Sequence, residues 1–452
     1  MSGQSLRLSG RRLGLLAAAI LLLALVVRVW EVQRTIPYRP INDGQSYLTL
    51  AGQVAHQGDY RTTHAPGTGA GGTIGPTAYF PPAYPYFLAA VDLIDGDTTS
   101  GGQAIHAARL ATAVLGVVAV GLIGLLALEA FGLEVALLAM LIGAVYPPLV
   151  ELAGTPYSEN LLIVFELAAV WAALRARRAL NPYPLLAAAG VFTGLTTLTH
   201  QNGVLIVLPL IVCAIQIARR RRASVDRPAL HTLAAPAILI ACTILTVAPW
   251  TIRNAIVLHR FIPVTDENGI TLAGTYNPTS ASNPQIPYRW IYFGGIPADA
   301  GIAHDAAHLT EPALSNRLVT AALHYIRHHP SAPLLAAYHN LRRLLELEGS
   351  TAWRTSTASI GITGGTARIG VYGFWIIAAL ALVGLFTRLA RRAPWWLWAV
   401  PILLALSVIF VNAETPRFRA PIDPYVIMLA ACALVAVGGR VLAFRRERSV
   451  AA

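Results

Sequence analysis

Apolar runs of about 17 to 25 residues recur along the whole chain, and this pattern limits its fold more than any other feature. Runs of that length can cross a bilayer as helices. They lie at residues 13–30, 104–128, 133–150, 158–174, 184–200, 203–218, 232–252, 370–387, 395–411 and 424–440. Composition agrees, because 55% of the 452 residues are hydrophobic and only 12% are charged. The sequence therefore predicts an all-α integral membrane protein with about ten transmembrane helices.

The basic residues indicate how these helices are oriented. All 34 are arginines, and the clusters lie at Arg7, Arg11 and Arg12; Arg175, Arg177 and Arg178; Arg219 to Arg222 with Arg227; Arg388, Arg391 and Arg392; and Arg440, Arg445, Arg446 and Arg448. Loops rich in arginine stay in the cytoplasm, so we expect both termini to be cytoplasmic. The protein itself is expected in the plasma or inner membrane of the cell. A net charge of +12 also suits nucleic-acid binding. The clusters are short and tied to helix ends, so we expect no nucleic-acid partner.

Two connections between the runs are much longer than the others, at residues 31–103 and 253–369. The predicted orientation puts both on the extracytoplasmic face, where amphipathic segments indicate interfacial helices. In the first loop, residues 67–72 match a GxGxxG pattern, but no strand precedes them and no helix follows, which favours a flexible loop. We predict one polytopic domain at residues 1–440 and a basic cytoplasmic tail at 441–452.

Four stretches, in order, carry a resemblance to a known family. They are Asp43, Tyr47 and Ala51 leading to residues 58–60; residues 80–85; residues 248–254 followed by 261–264 and Gly269; and residues 416–424. The set resembles the GT-C superfamily of membrane glycosyltransferases, close to family 39, which includes protein O-mannosyltransferases and aminoarabinose transferases. The resemblance implies transfer of a sugar from a polyprenyl-phosphate carrier to an acceptor protein, glycan or lipid on the extracytoplasmic face. It also implies that Asp43 is the catalytic acidic residue, although the family often has two adjacent acidic residues where this chain has Asn42 and Gly44 beside Asp43.

The chemistry of such a transfer can also be read from the residues. A hydroxyl that attacks a sugar-1-phosphate carbon needs a base, whereas phosphate leaves without a proton donor. One carboxylate, Asp43, therefore suffices and gives inversion, unlike the paired carboxylates of glycoside hydrolysis. Arginine suits the phosphate because its planar fork makes bidentate bonds. The candidates that lie on the outer side against the charge trend are Arg253, Arg417 and Arg419. The resemblance implies His200 as a fourth, because related sequences commonly have a basic residue in this region, although a plain polar turn suits His200 equally well.

Each of these residues also has a simpler interpretation. Asp43 suits a helix N-cap, and the arginines suit contact with lipid headgroups. Glu159 and Tyr47 are candidates for binding the acceptor or a cation, and Glu159 equally suits the first turn of a helix. A divalent cation is possible, but no metal ligand set is evident. His304 and His308 have helical spacing but no third ligand, which favours a solvated helix.

The main alternative function is a secondary transporter or flippase of lipid-linked sugars. Transporters usually have related halves, whereas here the halves differ and the long loops share one face. A non-catalytic, glycolipid-binding membrane subunit is a third possibility, and it would not need Asp43.

Overall fold

The computed structural model describes residues 10–62, 75–95, 102–224 and 231–451. The first half of the chain contains α1 (Gly10–Arg34), α2 (Asn42–Gln57), β1 (Arg61–Thr62), β2 (Gly75–Pro76), α3 (Ala83–Asp95), α4 (Gly102–Ala130), α5 (Leu133–Val145), α6 (Pro147–Ala153), α7 (Glu159–Ala176), α8 (Tyr183–Thr199), α9 (Val207–Ser224) and α10 (His231–Val257). The second half contains α11 (Asn268–Thr275), α12 (Pro278–Ala281), α13 (Ala300–Asp305), α14 (Glu311–His328), α15 (Ala332–Leu344), α16 (Ser350–Ala358), α17 (Gly364–Leu385), α18 (Trp395–Ile409) and α19 (Asp423–Ala451). Short 3-10 turns lie at Gln201–Ile206, Phe293–Gly295, Pro297–Asp299, Ala306–His308, Ala390–Arg392 and Arg417–Arg419.

The predicted helical membrane fold is confirmed, with one small exception. Strands β1 and β2 form an antiparallel ladder of two residues each, in which Arg61 pairs with Pro76. The last helix, α19, also continues across the predicted tail boundary at residue 440. Arg7, Arg227 and the GxGxxG segment at 67–72 lie outside the described residues.

Each predicted span overlaps helical structure, although the span at 133–150 is divided between α5 and α6 and the helices differ in length. Within the described ranges, five are long and apolar enough to cross a membrane, at Gly10–Arg34, Ile105–Ala130, Gln201–Arg221, Leu233–Val257 and Gly364–Leu385. Helices α5 and α6 make a sixth span if they are joined across a bend of 56°, which occurs where two prolines open α6. The remaining apolar helices include α8 and α18, which are shorter. The predicted number of ten spans therefore stays a prediction.

The centre of the bundle is built around α7, which is buried on nearly every side and packs against α4 and α8. Helix α8 in turn packs closely on α10. A Cβ atom at Gly190 would contact the carbonyl oxygen of Leu239, and one at Gly194 would contact Thr246. Small residues four apart allow two membrane helices to approach this closely. The close packing fixes the end of α8, which the predicted site residue His200 follows directly.

The two long loops pack against each other. The first runs from residue 35 to 101 and carries α2, the β ladder and α3, and the second runs from 258 to 363 and carries α11 to α16. Both are slightly shorter than predicted, because the helices that flank them extend further. Glu311 of the second loop accepts hydrogen bonds from the hydroxyl of Thr77 and from the backbone N–H of Ala78, at 2.7 Å for the latter. This contact joins the two loops.

Candidate active site

Asp43 lies in the first turn of α2, at the edge of a cavity between the two loops. The residue that precedes the helix is Ile41, which makes no side-chain cap, so the structure does not use Asp43 as the N-cap. Its carboxylate instead forms an ion pair with Arg417, with Oδ2 at 2.6 Å from Nη1. The Asp43 side chain remains about a quarter exposed, at 25%. A carboxylate in this position is held in place and still reaches solvent.

Arg417 is shared between two carboxylates. Its Nη1 contacts Asp43, and its Nε donates to Glu159, the first residue of α7. The guanidinium lies 4.9 Å from the ring centroids of Tyr157 and Phe418, so aromatic faces cover it. Burial disfavours the charged form, but Glu159 and Asp43 outweigh it and raise the pKa of Arg417. Arg417 therefore stays cationic.

The cavity beside this pair has a volume of about 590 Å³. Its walls come from α2, from the 3-10 turn after α8, from α11 and the segment that follows α12, and from α18 with the turn at Arg417. The lining combines aromatic rings with amides and carboxylates; examples are Tyr79, Trp290, Tyr292, Gln45, Asn202, Asn268, Asn412, Glu267 and Glu414. Rings with convergent hydrogen-bonding groups are the chemistry that small polar ligands require.

Glu267, just before α11, brings a second carboxyl group to the cavity. Burial, helped by the negative charges of Asp43 and Glu159 and opposed by Arg417, raises the pKa of Glu267 to about 8. The group is therefore mostly protonated at neutral pH. A neutral Glu267 limits the negative charge in the cavity and can donate a hydrogen bond.

A close backbone approach explains why α2 has glycine after Asp43. A Cβ atom at Gly44 would lie 3.0 Å from the ring of Tyr157, whose hydroxyl donates to the carbonyl oxygen of Ile41 at 2.9 Å. A second acidic residue at position 44 would force this ring to move. In this chain the other carboxylates near Asp43 come from distant segments, at Glu159 and Glu267.

The structure places His200 in the cavity wall and buries Tyr47 outside the lining. The His200 ring packs edge-on against Phe418, with centroids 6.2 Å apart. Burial lowers the pKa of His200, so at pH 7 it can offer a hydrogen bond but little charge. Tyr47 is 2% exposed, and its hydroxyl lies 3.1 Å from that of Ser158. Its contacts fasten α2 to the start of α7.

Arg253 is not brought to the cavity with Arg417, contrary to the predicted grouping. Its guanidinium donates to the backbone oxygens of Thr77 at 2.7 Å and Tyr60 at 2.8 Å, and it lies 4.8 Å from the centroid of the Trp250 ring. These contacts hold the β ladder of the first loop against the end of α10. The partners of Arg253 therefore indicate a structural role.

Arg419 also points away from the cavity, although it lies only two residues after Arg417. It forms ion pairs with Glu346 at 2.8 Å and Asp423 at 3.2 Å, and its side chain is 2% exposed. The predicted cluster of three arginines around Asp43 thus reduces to Arg417. The reason is that buried carboxylates hold Arg419, whereas backbone carbonyl oxygens hold Arg253.

The residues around Asp43 do not fit a divalent cation well. Asp43 and Glu159 both direct an oxygen to Arg417, so a guanidinium lies where a shared cation would bind. In the described part of the chain, no three His, Cys, Asp or Glu side chains are arranged to hold a metal ion. His304 instead pairs with Asp305 on an exposed helix.

Several cavity residues were missed by the sequence analysis. They include Glu267, Glu414 and Arg289, the last two of which lie 3.6 Å apart. All three come from connecting segments rather than from apolar helices, so hydrophobic periodicity gives no signal for them. One clue in the sequence was the adjacent acidic pair of Asp266 and Glu267, which lies between residues 261–264 and Gly269 of the third resembling stretch.

Comparison with known proteins agrees with this architecture. Residues 80–250 match a family model described as dolichyl-phosphate-mannose-protein mannosyltransferase. No curated protein matches the sequence significantly. Among solved structures, the oligosaccharyltransferase AglB from Archaeoglobus fulgidus, in complex with an inhibitory peptide and a dolichol-phosphate, aligns with 96% of this chain and 52% of its own, at 16% identity and a TM-score of 0.55. The same enzyme in complex with Zn and sulfate aligns with 95% of this chain and 50% of its own, at 14% identity and a TM-score of 0.54.

The chain has the GT-C fold. It spans about half the length of the AglB structures that it matches. ArnT from Cupriavidus metallidurans bound to undecaprenyl phosphate aligns with 92% of this chain and 76% of its own, at 14% identity and a TM-score of 0.44. The family model covers the helices of the GT-C bundle from α3 to α10 and includes Glu159 and His200. Asp43, Glu267 and Arg417 lie outside the matched residues.

Proposed function

We propose that the protein is a membrane glycosyltransferase that moves a sugar from a polyprenyl-phosphate carrier to an acceptor hydroxyl on the extracytoplasmic face. The observation that carries the proposal is the ion pair of Asp43 and Arg417 at the wall of a polar, aromatic-lined cavity. The GT-C fold supports it, since the matched AglB structure contains a dolichol-phosphate. The alternative of a transporter or flippase lacks this support, because the two AglB structures reported above are those of an oligosaccharyltransferase.

In the proposed reaction Asp43 acts as the general base. The acceptor hydroxyl gives its proton to the Asp43 carboxylate as its oxygen bonds to the sugar carbon, and the bond from that carbon to the carrier phosphate breaks. The electron pair leaves on the phosphate, which needs no proton. Attack from the face opposite the phosphate inverts the configuration at the sugar carbon.

Arg417 is the group proposed to hold the phosphate. Its Nη1 and Nε contact the two carboxylates, and among the described residues its Nη2 makes no hydrogen bond. A guanidinium fixed on two sides is preorganised for an anion at the third, and it stabilises the charge that develops on the leaving group. His200, neutral and in the same wall, is a second hydrogen-bonding candidate. The amides and rings of the lining are suited to the hydroxyls and faces of a sugar.

The proposal is tested by transfer with inversion. Envelope glycans, lipids and secreted proteins of a deletion strain are compared with those of the parent by mass spectrometry, which identifies the species that has lost a sugar. The purified protein and the matching polyprenyl-phosphate sugar should restore it, and the product's anomeric configuration, read by NMR, should be opposite to that of the donor. Retained configuration would exclude direct displacement, and movement of the lipid across vesicles without transfer would identify a flippase.

The cavity carboxyl groups predict a loss of activity at high pH. As the pH rises through about 8, Glu267 ionises and adds negative charge beside Asp43, which repels the donor phosphate. We expect kcat/KM for the donor to fall above about pH 8 in the wild type and to stay level in Glu267→Gln. Because folding raises this pKa, the contribution of Glu267 to stability is also largest at low pH and is lost as the pH rises through about 8.

Asp266→Asn is the matched control for this pH profile. Asp266 is the neighbouring acidic residue, but it does not line the cavity, and the hydroxyl of Ser315 donates to its backbone oxygen at 3.0 Å. This variant should keep the alkaline decline. An unchanged profile in Glu267→Gln would show that another group causes the decline.

A further inference from the structure

Arg419 is one of the most completely enclosed charges in the described structure. Its Nη1 donates to Glu346 Oε1 at 2.8 Å, and its Nε donates to Asp423 Oδ1 at 3.2 Å. The guanidinium also lies 3.7 Å from the ring centroid of Phe374 on α17. The side chains of Glu346 and Asp423 are 4% and 0% exposed. Such a network leaves little freedom to any of its members, since breaking a buried pair exposes an uncompensated charge to an apolar environment.

The network of Arg419 lies next to Arg417, the arginine that contacts Asp43. Arg417 and Arg419 begin and end a single 3-10 turn, which has about three residues per turn, so their side chains leave it on different sides. Arg417 goes to Asp43 and Glu159, and Arg419 goes to the second loop and α19. The turn is therefore held by ion pairs from two directions, and losing one set frees the other to shift.

The partner on the second loop is itself held in a demanding conformation. Glu346 follows α15 and has a φ of 59°, a left-handed value that non-glycine residues rarely adopt. The residues beside it are fixed, because Trp375 of α17 donates to the carbonyl oxygen of Leu345 at 3.1 Å and the N–H of Leu347 bonds to the carbonyl oxygen of Arg342 at 2.7 Å. The Glu346 carboxylate is thus presented to Arg419 by a segment bound to a membrane helix.

We propose that Glu346 and Arg419 position Arg417 for the phosphate of the donor. In this inference, which rests on the proposed function, Glu346 is a positioning residue: it contacts neither the cavity nor the substrate and acts by fixing the 3-10 turn. The second loop and α17 thereby set the distance between the guanidinium of Arg417 and the carboxylate of Asp43. Arg419, predicted from sequence to bind phosphate, is assigned to this role instead.

The test compares two isosteric changes in one buried segment. Glu346→Gln keeps an oxygen acceptor for Arg419 and removes the charge. Glu348→Gln removes an equally buried charge two residues later, which pairs with Arg343 at 2.9 Å and with His339 but not with the turn. We expect Glu346→Gln to weaken binding of undecaprenyl phosphate about tenfold, because the hydrogen bond that fixes Arg419 loses its charge assistance, and Glu348→Gln to change it less than about twofold. Equal losses in the two variants would mean that both act only through the stability of the loop and would overturn the proposal.

A second measurement shows whether Glu346 acts through Arg417. If it does, Glu346→Gln should have no further effect on binding in an Arg417→Lys background, because the group that it positions is already lost. Additive losses would contradict the proposal. The failure of the proposed function is distinguishable, since a wild-type protein that does not bind undecaprenyl phosphate in detergent would remove the donor site itself. If the wild type binds and Glu346→Gln binds equally well, only the positioning role fails.

Discussion

Replacing Asp43 with asparagine should reduce sugar transfer by about 1,000-fold in kcat, because a general base contributes roughly 10²- to 10⁴-fold. Asparagine has nearly the same shape and keeps an oxygen for Arg417, but it cannot take the proton of an acceptor hydroxyl. Binding of the polyprenyl-phosphate donor should therefore remain close to that of the wild type. The measurement is single-turnover transfer together with the donor dissociation constant for each variant.

Asp59→Asn provides the matched control. Asp59 lies in the same loop, its side chain is 56% exposed, and it pairs only loosely with Arg61 at 3.6 Å. Transfer by this variant should stay within about twofold of the wild type, since surface ion pairs contribute little. Wild-type transfer rates in Asp43→Asn would exclude Asp43 as the base.

Replacing Arg417 with lysine should weaken donor binding and transfer together, with a loss of about 100-fold in kcat/KM. Lysine keeps the positive charge, but it cannot contact Asp43, Glu159 and a phosphate at once with fixed geometry. Arg417→Gln should be worse, because it leaves two carboxylates without their cation, and we expect it also to lower the unfolding temperature. The lysine variant is the informative one, since its fold can be checked by its unfolding temperature.

Arg317→Lys tests whether any arginine of the loops would give the same result. Arg317 is 49% exposed and pairs with Asp305 at 2.8 Å, away from the Asp43 cavity. Its replacement should change kcat/KM by less than about twofold. A similar loss in both lysine variants would point to general attraction of an anionic lipid rather than to a specific phosphate contact.

The sequence was informative where the physical signal is local. Long apolar runs predict membrane helices because the bilayer sets their length, and the amphipathic segment after Asp43 predicts α2. The two long loops were also recognised, with boundaries a few residues too wide. The sequence of α7 is mostly apolar although it contains Glu159 and Glu166, because most of this helix is buried.

The partners of each arginine could not be predicted in the same way. Arg253, Arg417 and Arg419 share one signature, an arginine near a helix end and a proline, but the contacts that distinguish them are made with residues far away in sequence. Arg253 bonds to Thr77, and Arg419 pairs with Glu346. Neither partner has a local signal. The same holds for Glu267, which reaches the cavity only because the two loops pack together.

The sharing of Arg417 between two carboxylates has a consequence for the end of a catalytic cycle. Once Asp43 has accepted a proton it is neutral, and its ionic hold on the guanidinium disappears at the moment when the departing phosphate carries most charge. Glu159 takes no part in the proton transfer and still accepts the hydrogen bond from Nε of Arg417. The guanidinium of Arg417 therefore keeps its position while the polyprenyl phosphate leaves. The ion pair with Asp43 forms again when Asp43 releases its proton to water.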